Sequence, residues 1–281
     1  MLHLSRAPCQ ASGAPKLGRA NQVAKRAQEK QDTLFVGSLE KGLRIMAAFN
    51  AHRTELGLTE LAEVVGLDKS AAQRFTNTLH KTGYLEKDPE SRRFRPSLKF
   101  MELAAAYLWS DPFVQLAMPK LIDLSRDLGE RVNAARLAGS DIIYVIRIPT
   151  QLTSFAAMVV GNKVQALSSS SGRIMLAHMS EEERQLALET WPIDRITPRT
   201  VTDRSQIARE VEEAGQQGYG IAVNQNIINE IGIAAPVFDR MGRVAGTVQC
   251  SVSSQKWSLD RVHNEIAPRL MEVANSINLL R

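Results

Sequence analysis

Between Leu58 and Leu85 the apolar positions keep helical spacing twice, with a glycine between the two runs. Leu58, Leu61, Ala62 and Val65 recur on one face of a first helix. Thr59 is its expected cap, and Gly66 ends it, because glycine takes the left-handed conformation at little cost. Asp68 or Ser70 then caps a second helix. Ala72, Phe75 and Leu79 share the face turned toward the first helix. The opposite face carries Lys69, Ser70, Ala71, Gln73, Arg74 and Asn77. That face is short, polar and donor-rich, with one small residue that permits close approach. A helix lying in a DNA major groove needs such a face. Gly83-Tyr84-Leu85 closes the unit and starts a strand.

A hairpin follows. Tyr84–Lys87 and Arg92–Arg95 flank Asp88-Pro89-Glu90-Ser91, which has turn chemistry. Arg92, Arg93 and Arg95 sit on or beside the returning strand, where they can reach phosphates or a minor groove. Helix, turn, helix and basic hairpin together predict a winged helix. Upstream, Val36–Asn50 reads as the first helix of that unit. Ser38 is its expected cap, and Leu39, Leu43, Ile45, Met46 and Phe49 form its apolar side. That side suits tight packing or a second copy of the chain. Downstream, Leu98–Trp109 predicts a connecting helix with few charges, its apolar character suited to cover by another subunit. Asp111-Pro112 stops it and starts a helix from Phe113 to Leu128.

The second half alternates strands with helices. Val132–Leu137 and Ile142–Ile148 read as strands around the turn Ala138–Asp141, and Thr153–Val160 as a third. Gly172–His178 and Glu181–Glu189 read as helices. Asp203 caps a helix from Gln206 to Gln216, which Gly218-Tyr219-Gly220 ends. Ile231–Phe238 and Val244–Val252 are strands around Asp239–Gly242, and a last helix runs from Leu259 to about Leu279. The pattern predicts an α+β fold: an antiparallel sheet flanked by helices, behind an N-terminal winged helix-turn-helix.

Composition narrows the function. In 281 residues, 44% hydrophobic and 23% charged content suit a globular protein with a real core. The formal net charge of +5 is uneven. Residues 1–30 hold six Lys/Arg and one acid, and residues 31–99 eleven basic and nine acidic residues, so the remainder is slightly acidic. The basic balance thus lies where the helix-turn-helix lies, and residues 1–30 read as a disordered basic arm. Two distant cysteines, Cys9 and Cys250, give no disulfide framework and fit a reducing cytoplasm. No apolar run approaches the roughly 18 residues of a membrane span, and no secretory signal opens the chain.

Other chemistry is weak. The five histidines show no metal-ligand spacing. His178 is expected to face the carbonyls at its helix end. Cys250, on an apolar strand, reads as a small buried hydrophobe. Glu181-Glu182-Glu183 supports a helix start, and Glu212-Glu213 a solvated face. No phosphate loop or dinucleotide motif is present, so no cofactor, metal or catalytic residue is expected. Two classes stand: a ligand-responsive DNA-binding regulator, and a small-molecule-converting enzyme whose N-terminal unit serves assembly only.

Several short pieces carry a likeness when taken in order. They are Ser38–Leu43, Gly66-Leu67-Asp68-Lys69-Ser70 with Arg74 and Leu79, and Gly83-Tyr84-Leu85. In the second half they are Asp141–Val145, Ser171-Gly172-Arg173 with Leu176-Ala177, Gly218-Tyr219-Gly220, and Ile233–Asp239. With these the chain resembles the IclR family of bacterial transcription regulators over residues 33–281. The resemblance implies a winged helix-turn-helix DNA-binding domain (31–97), a linker helix (98–111) and a GAF-like effector-binding domain (112–281). It also implies a dimer or tetramer acting on a double-stranded operator of catabolic genes. The implied effector pocket lies between Leu167–Gly172 and the strands around Ile231–Ala234 and Val248–Ser251. Thr153, Ala156, Ser170, Ser171, Ala222, Gly232, Gln249 and Ser251 match its positions. Ala222 stands where the family can carry an acid and Gly232 where it can carry a cysteine, so that side is expected to be wider and less polar. Ser168–Ser171, before a helix expected near Gly172, offers hydroxyls and free N–H groups to a carboxylate, which points to a small organic acid, aromatic among the candidates. Plain capping by the serines is the competing reading.

Overall fold

The computed structural model describes residues 34–150 and 158–277. The expected basic arm, and residues 153–157 of the expected third strand, lie outside the described residues. The chain divides into two compact units, with the boundary between Glu102 and Leu103.

The first unit holds α1 (Gly37–Ala47), α2 (Leu58–Val65), α3 (Lys69–Lys81) and the hairpin β1 (Leu85–Lys87) and β2 (Phe94–Pro96). Asp68 caps α3 by accepting from the Ala71 N–H at 2.8 Å. Gly66 ends α2 at φ +64°, as expected. The cap of α2 differs from expectation. The helix begins two residues earlier than a Thr59 cap implies, at Leu58, and Glu60 accepts the Gly57 N–H at 2.7 Å, so Thr59 is already helical. Nor does Ser38 cap α1, because the helix starts at Gly37 with Val36 before it. Leu56 and Phe94 exchange backbone hydrogen bonds, adding a third edge to the hairpin. Ile45, Ala48, Leu56, Leu61, Val65, Leu85 and Phe94 form the core. Leu39 and Leu43, expected on the apolar side of α1, are instead exposed beside Leu34 and Phe35. The register puts Ile45, not those two, into the core.

α4 (Lys99–Ser110) spans the boundary between the units and has no buried residue. In the second unit Asp111 caps α5 (Pro112–Leu128), accepting from the Phe113 N–H at 3.0 Å. The same carboxylate accepts from Arg136 at 2.6 and 2.8 Å and from the Tyr107 hydroxyl at 2.8 Å. Burial alone would raise its pKa, but the Arg136 and Tyr107 hydrogen bonds hold it below the usual value.

The sheet contains β3 (Arg131–Ala138), β4 (Asp141–Ile148), β5 (Lys163–Gln165), β6 (Gly220–Val223), β7 (Glu230–Phe238) and β8 (Val244–Ser253). Its order is β5-β4-β3-β8-β7-β6, all antiparallel. The short strands β5 and β6 escaped the sequence pattern. Met158–Val160, at the end of the expected third strand, is not strand. One face packs on α5 and on the C-terminal helical segment, a turn Leu259–Arg261, a π-helical turn Val262–Ile266 and α6 (Ala267–Ser276). The other packs on α7 (Ser170–Ala177), α8 (Glu181–Thr190) and α9 (Arg204–Gln217). α7 begins two residues before the expected Gly172, after a 3-10 turn at Ala166–Ser168.

Candidate functional site

The polar face of α3 forms because Ala72 and Thr76 turn inward, Thr76 bonding the Ala72 carbonyl at 2.8 Å. Lys69, Ser70, Gln73, Arg74 and Asn77 are then exposed, and Ala71 is half-buried between them. Their side chains make no hydrogen bond or ion pair with other described residues. The face therefore presents five uncommitted polar groups around one small residue, the requirement for a groove-reading helix.

The hairpin splits its arginines. Arg92 sits in the turn at φ +60°, exposed and without an ion pair among the described residues. Arg93 is committed inward, donating to Glu60 at 2.6 Å and to the Glu55 carbonyl at 3.0 Å. Arg95 is paired with Glu86 at 2.8 Å. Of the three hairpin arginines expected to reach DNA, Arg92 carries no ion pair among the described residues, Arg95 is paired with Glu86, and Arg93 staples the hairpin to α2.

The second unit encloses a cavity of about 410 Å³. Ser169 and Ser170 at the start of α7 form one wall, with Tyr144, Arg147, Arg131, Glu230, Gly232, Gln249 and Ala222 of the sheet opposite. Gln165, Asp194, Ile196, Gln225 and Asn226 are among the rest of its lining. Sheet register explains the arrangement. Gln249 stands opposite Asn133, which stands opposite Arg147, and the side chains are joined in that order. Asn133 donates to Gln249 at 2.8 Å and accepts from Arg147 Nε at 3.2 Å. The Arg147 guanidinium also lies 4.2 Å from the centre of the Tyr144 ring. Burial lowers the Arg147 pKa and raises that of the Tyr144 phenol.

The start of α7 is held rigidly. A Cβ on Gly172 would lie 2.1 Å from the Ala166 carbonyl oxygen, so only glycine fits there. The Ser169 hydroxyl accepts the Gly172 N–H at 2.9 Å. Arg173 is buried, donates to the Ile221 carbonyl at 2.8 Å and pairs with Glu210 at 2.6 Å. Burial lowers its pKa, and Glu210 opposes that shift.

Among the described residues five buried side-chain polar atoms lack a hydrogen-bond partner. Two are Arg173 Nη2 and Glu210 Oε2, the atoms of that ion pair. The other three are Arg131 Nε, Arg147 Nη1 and Ser170 Oγ. All three residues line the cavity, and all three atoms can donate. Buried donors left unpaired are costly, and these three belong to residues around one cavity.

Comparison with known proteins decides the family. Residues 38–89 match the IclR helix-turn-helix domain, and residues 105–279 the C-terminal domain of bacterial IclR transcriptional regulators. The chain belongs to the IclR family. It is 29% identical over 235 residues to the HTH-type transcriptional regulator KdgR of Escherichia coli, covering 83% of this chain and 88% of that one. It is 25% identical over 251 residues to the p-hydroxybenzoate hydroxylase transcriptional activator of Acinetobacter baylyi, covering 88% and 92%. An IclR homologue from Microbacterium hydrocarbonoxydans, solved in complex with 4-hydroxybenzoate, shares the fold with a TM-score of 0.70 at 24% identity, over 87% of this chain and 99% of that one. This IclR protein is a DNA-binding transcriptional regulator.

The pocket residues that the IclR resemblance implied are only partly brought together. Ser170, Ala222, Gly232 and Gln249 line the cavity. Ala222 and Gly232 are cross-strand neighbours, and a Cβ on Gly232 would lie 3.2 Å from both Ser170 Oγ and Gln249 Nε2. Ser251 lies outside the lining and accepts from Gln249 Nε2 at 3.1 Å. Ser171 also turns away, because α7 starts earlier than expected, and its hydroxyl accepts from Thr247 at 2.9 Å. Thr153 and Ala156 lie outside the described residues. The sequence reading missed Arg131, Tyr144, Arg147 and Glu230. Their signal was charged and aromatic residues set among the apolar positions of β3, β4 and β7. His178 packs its ring on Phe238, 5.0 Å between centroids, instead of facing helix carbonyls. Cys250 is buried in the core as expected, and burial pushes its thiol pKa up. Among the described residues no helix is long and apolar enough to cross a membrane.

Proposed function

We propose that this IclR regulator senses a small organic acid in the α7 cavity and converts its binding into a change of operator affinity. The observation that carries this reading is that three residues lining one half-open cavity each hold a buried donor without a partner. A small shift of these side chains brings their donors to an anion in the cavity, and the Ser170 and Ser171 N–H groups, which the helix cannot satisfy internally, add to them. The cavity volume and mixed lining suit a metabolite of a few carbons or one aromatic ring. A relative named for p-hydroxybenzoate metabolism and a neighbour holding 4-hydroxybenzoate support the aromatic choice.

The protein acts in the cytoplasm as a homo-oligomer, on genes that consume the acid. Two copies place their α3 helices about 34 Å apart, one DNA turn, on a near-palindromic operator. The exposed apolar residues of α1 and α4 supply surface for that assembly. Inside the effector unit β3 runs from the cavity to the linker. Arg131 lines the cavity at one end, and at the other Arg136 grips Asp111, which also accepts from Tyr107. The acid shifts the regulator only by its differential affinity for two arrangements.

A thermal-shift screen of small carboxylic acids, followed by operator titration with and without each hit, tests the reading. An acid at 100 times its dissociation constant should add about 2.7 kcal/mol of stability and change DNA affinity. Stabilisation by no acid at all would refute the effector.

A further inference from the structure

The charges around the cavity specify more than an acid. The lining carries three cations, Arg131, Arg147 and Lys163, and three anions, Asp141, Asp194 and Glu230. Arg131 and Glu230 form a half-buried ion pair. Asp194 accepts from Gln165 at 2.7 Å at the exposed edge. Arg147 differs from both other cations: unlike Lys163 it is half-buried, and unlike Arg131 it forms no ion pair among the described residues, Glu230 acting on it only at longer range; Asn133 and Tyr144 hold it with Nη1 left unpaired. An arginine stays charged inside a protein. A half-buried guanidinium without a paired carboxylate favours one negative charge from the ligand.

Resting on the effector reading above, we propose that Arg147 is the carboxylate anchor and that the Arg131–Glu230 ion pair restricts the site to monoanionic acids. Arg147 Nη1 and Ser170 Oγ take the carboxylate. The rest of the ligand lies over the open floor at Gly232 and Ala222. A second carboxylate in the cavity meets Glu230, which has already claimed the other guanidinium. Like charges brought together in a partly dry site are strongly disfavoured. Removing the Glu230 charge frees Arg131 for a second acid group, so Glu230 sets the charge the site accepts.

Calorimetry on the full-length protein tests this with matched sets: benzoate, benzamide and terephthalate, then butyrate, butyramide and succinate. The parent should bind at least one monoacid, with its amide and its diacid weaker by about tenfold or more. Arg147→Gln should weaken that monoacid by roughly tenfold to a hundredfold. Arg147→Lys, which keeps the charge, should restore part of the loss. Glu230→Gln should narrow the gap between diacid and monoacid. Operator affinity without ligand, measured for each variant, reports whether the chain still folds. Equal binding of the monoacid by parent and folded Arg147→Gln overturns the anchor and leaves the effector cavity standing. A parent that prefers the diacid, or a Glu230→Gln variant with an unchanged preference, overturns the charge filter. If no probe binds the parent at millimolar concentration, the effector reading fails and this assignment falls with it.

Discussion

The face of α3 and the cavity beside α7 both offer donors to an anion, but they hold them in opposite ways. On α3, Lys69, Gln73, Arg74 and Asn77 are exposed, and water satisfies them in the free protein. In the cavity, Arg131 Nε, Arg147 Nη1 and Ser170 Oγ are already out of water with no partner. The first arrangement costs the free protein nothing, and its side chains must be ordered at the moment of binding. The second is destabilising before the ligand arrives and needs a stiff scaffold to persist. Substitutions on the face should therefore change binding and leave the fold alone. Substitutions in the cavity should affect both, sometimes in opposite directions.

The scaffold gives the largest effect. Gly172→Val would force a side chain into the Ala166 backbone, which cannot move aside as a flexible side chain can. The effector unit should lose about 3 kcal/mol or more, read by chemical denaturation, and any ligand response with it. Full stability in that variant would show that the start of α7 is soft, and the contrast between the regions would fail.

A smaller effect belongs to the reading face. Arg74→Ala should cost about 1–3 kcal/mol of operator affinity at fixed salt, with the melting temperature unchanged. Loss of stability instead would place Arg74 in the fold's own packing and erase the distinction.

The smallest and sharpest case is Ser170→Ala. It removes an unpaired buried hydroxyl, so the free protein should keep its stability or gain a little. Affinity for the acid should fall by about 1 kcal/mol, because one donor to the anion is gone. A fall in stability without ligand would mean that the hydroxyl is already satisfied.

The sequence made the first region legible and the second only in outline. The face of α3 is read from residues within three turns of one helix, and local periodicity places them. The cavity is assembled from strands far apart in the chain. Arg147 was invisible for a specific reason. Strand alternation puts Tyr144 and Arg147 on opposite faces, but Ala134 pairs with Ile146 and Ala135 with Tyr144, which leaves Val145 as a bulge. The bulge turns Arg147 onto the face of Tyr144. Choosing between Ser170 and Ser171 depended on where α7 starts, a difference of two residues that sequence patterns do not resolve. The hairpin failed differently. Arg93 looked free because its partner Glu60 lies 33 residues earlier, on a separate helix.

The floor formed by Ala222 and Gly232 bears on how such receptors diverge after gene duplication. Neither position carries a donor to the ligand, and neither takes part in the ties that fix α7. A carbon added at Gly232 would intrude between Ser170 and Gln249 and shorten the space for the acid's body, while Arg147 stayed in place. Under the proposed effector reading, changes at these two small residues alter which acid fits while the proposed anchor and the polar face of α3 stay as they are.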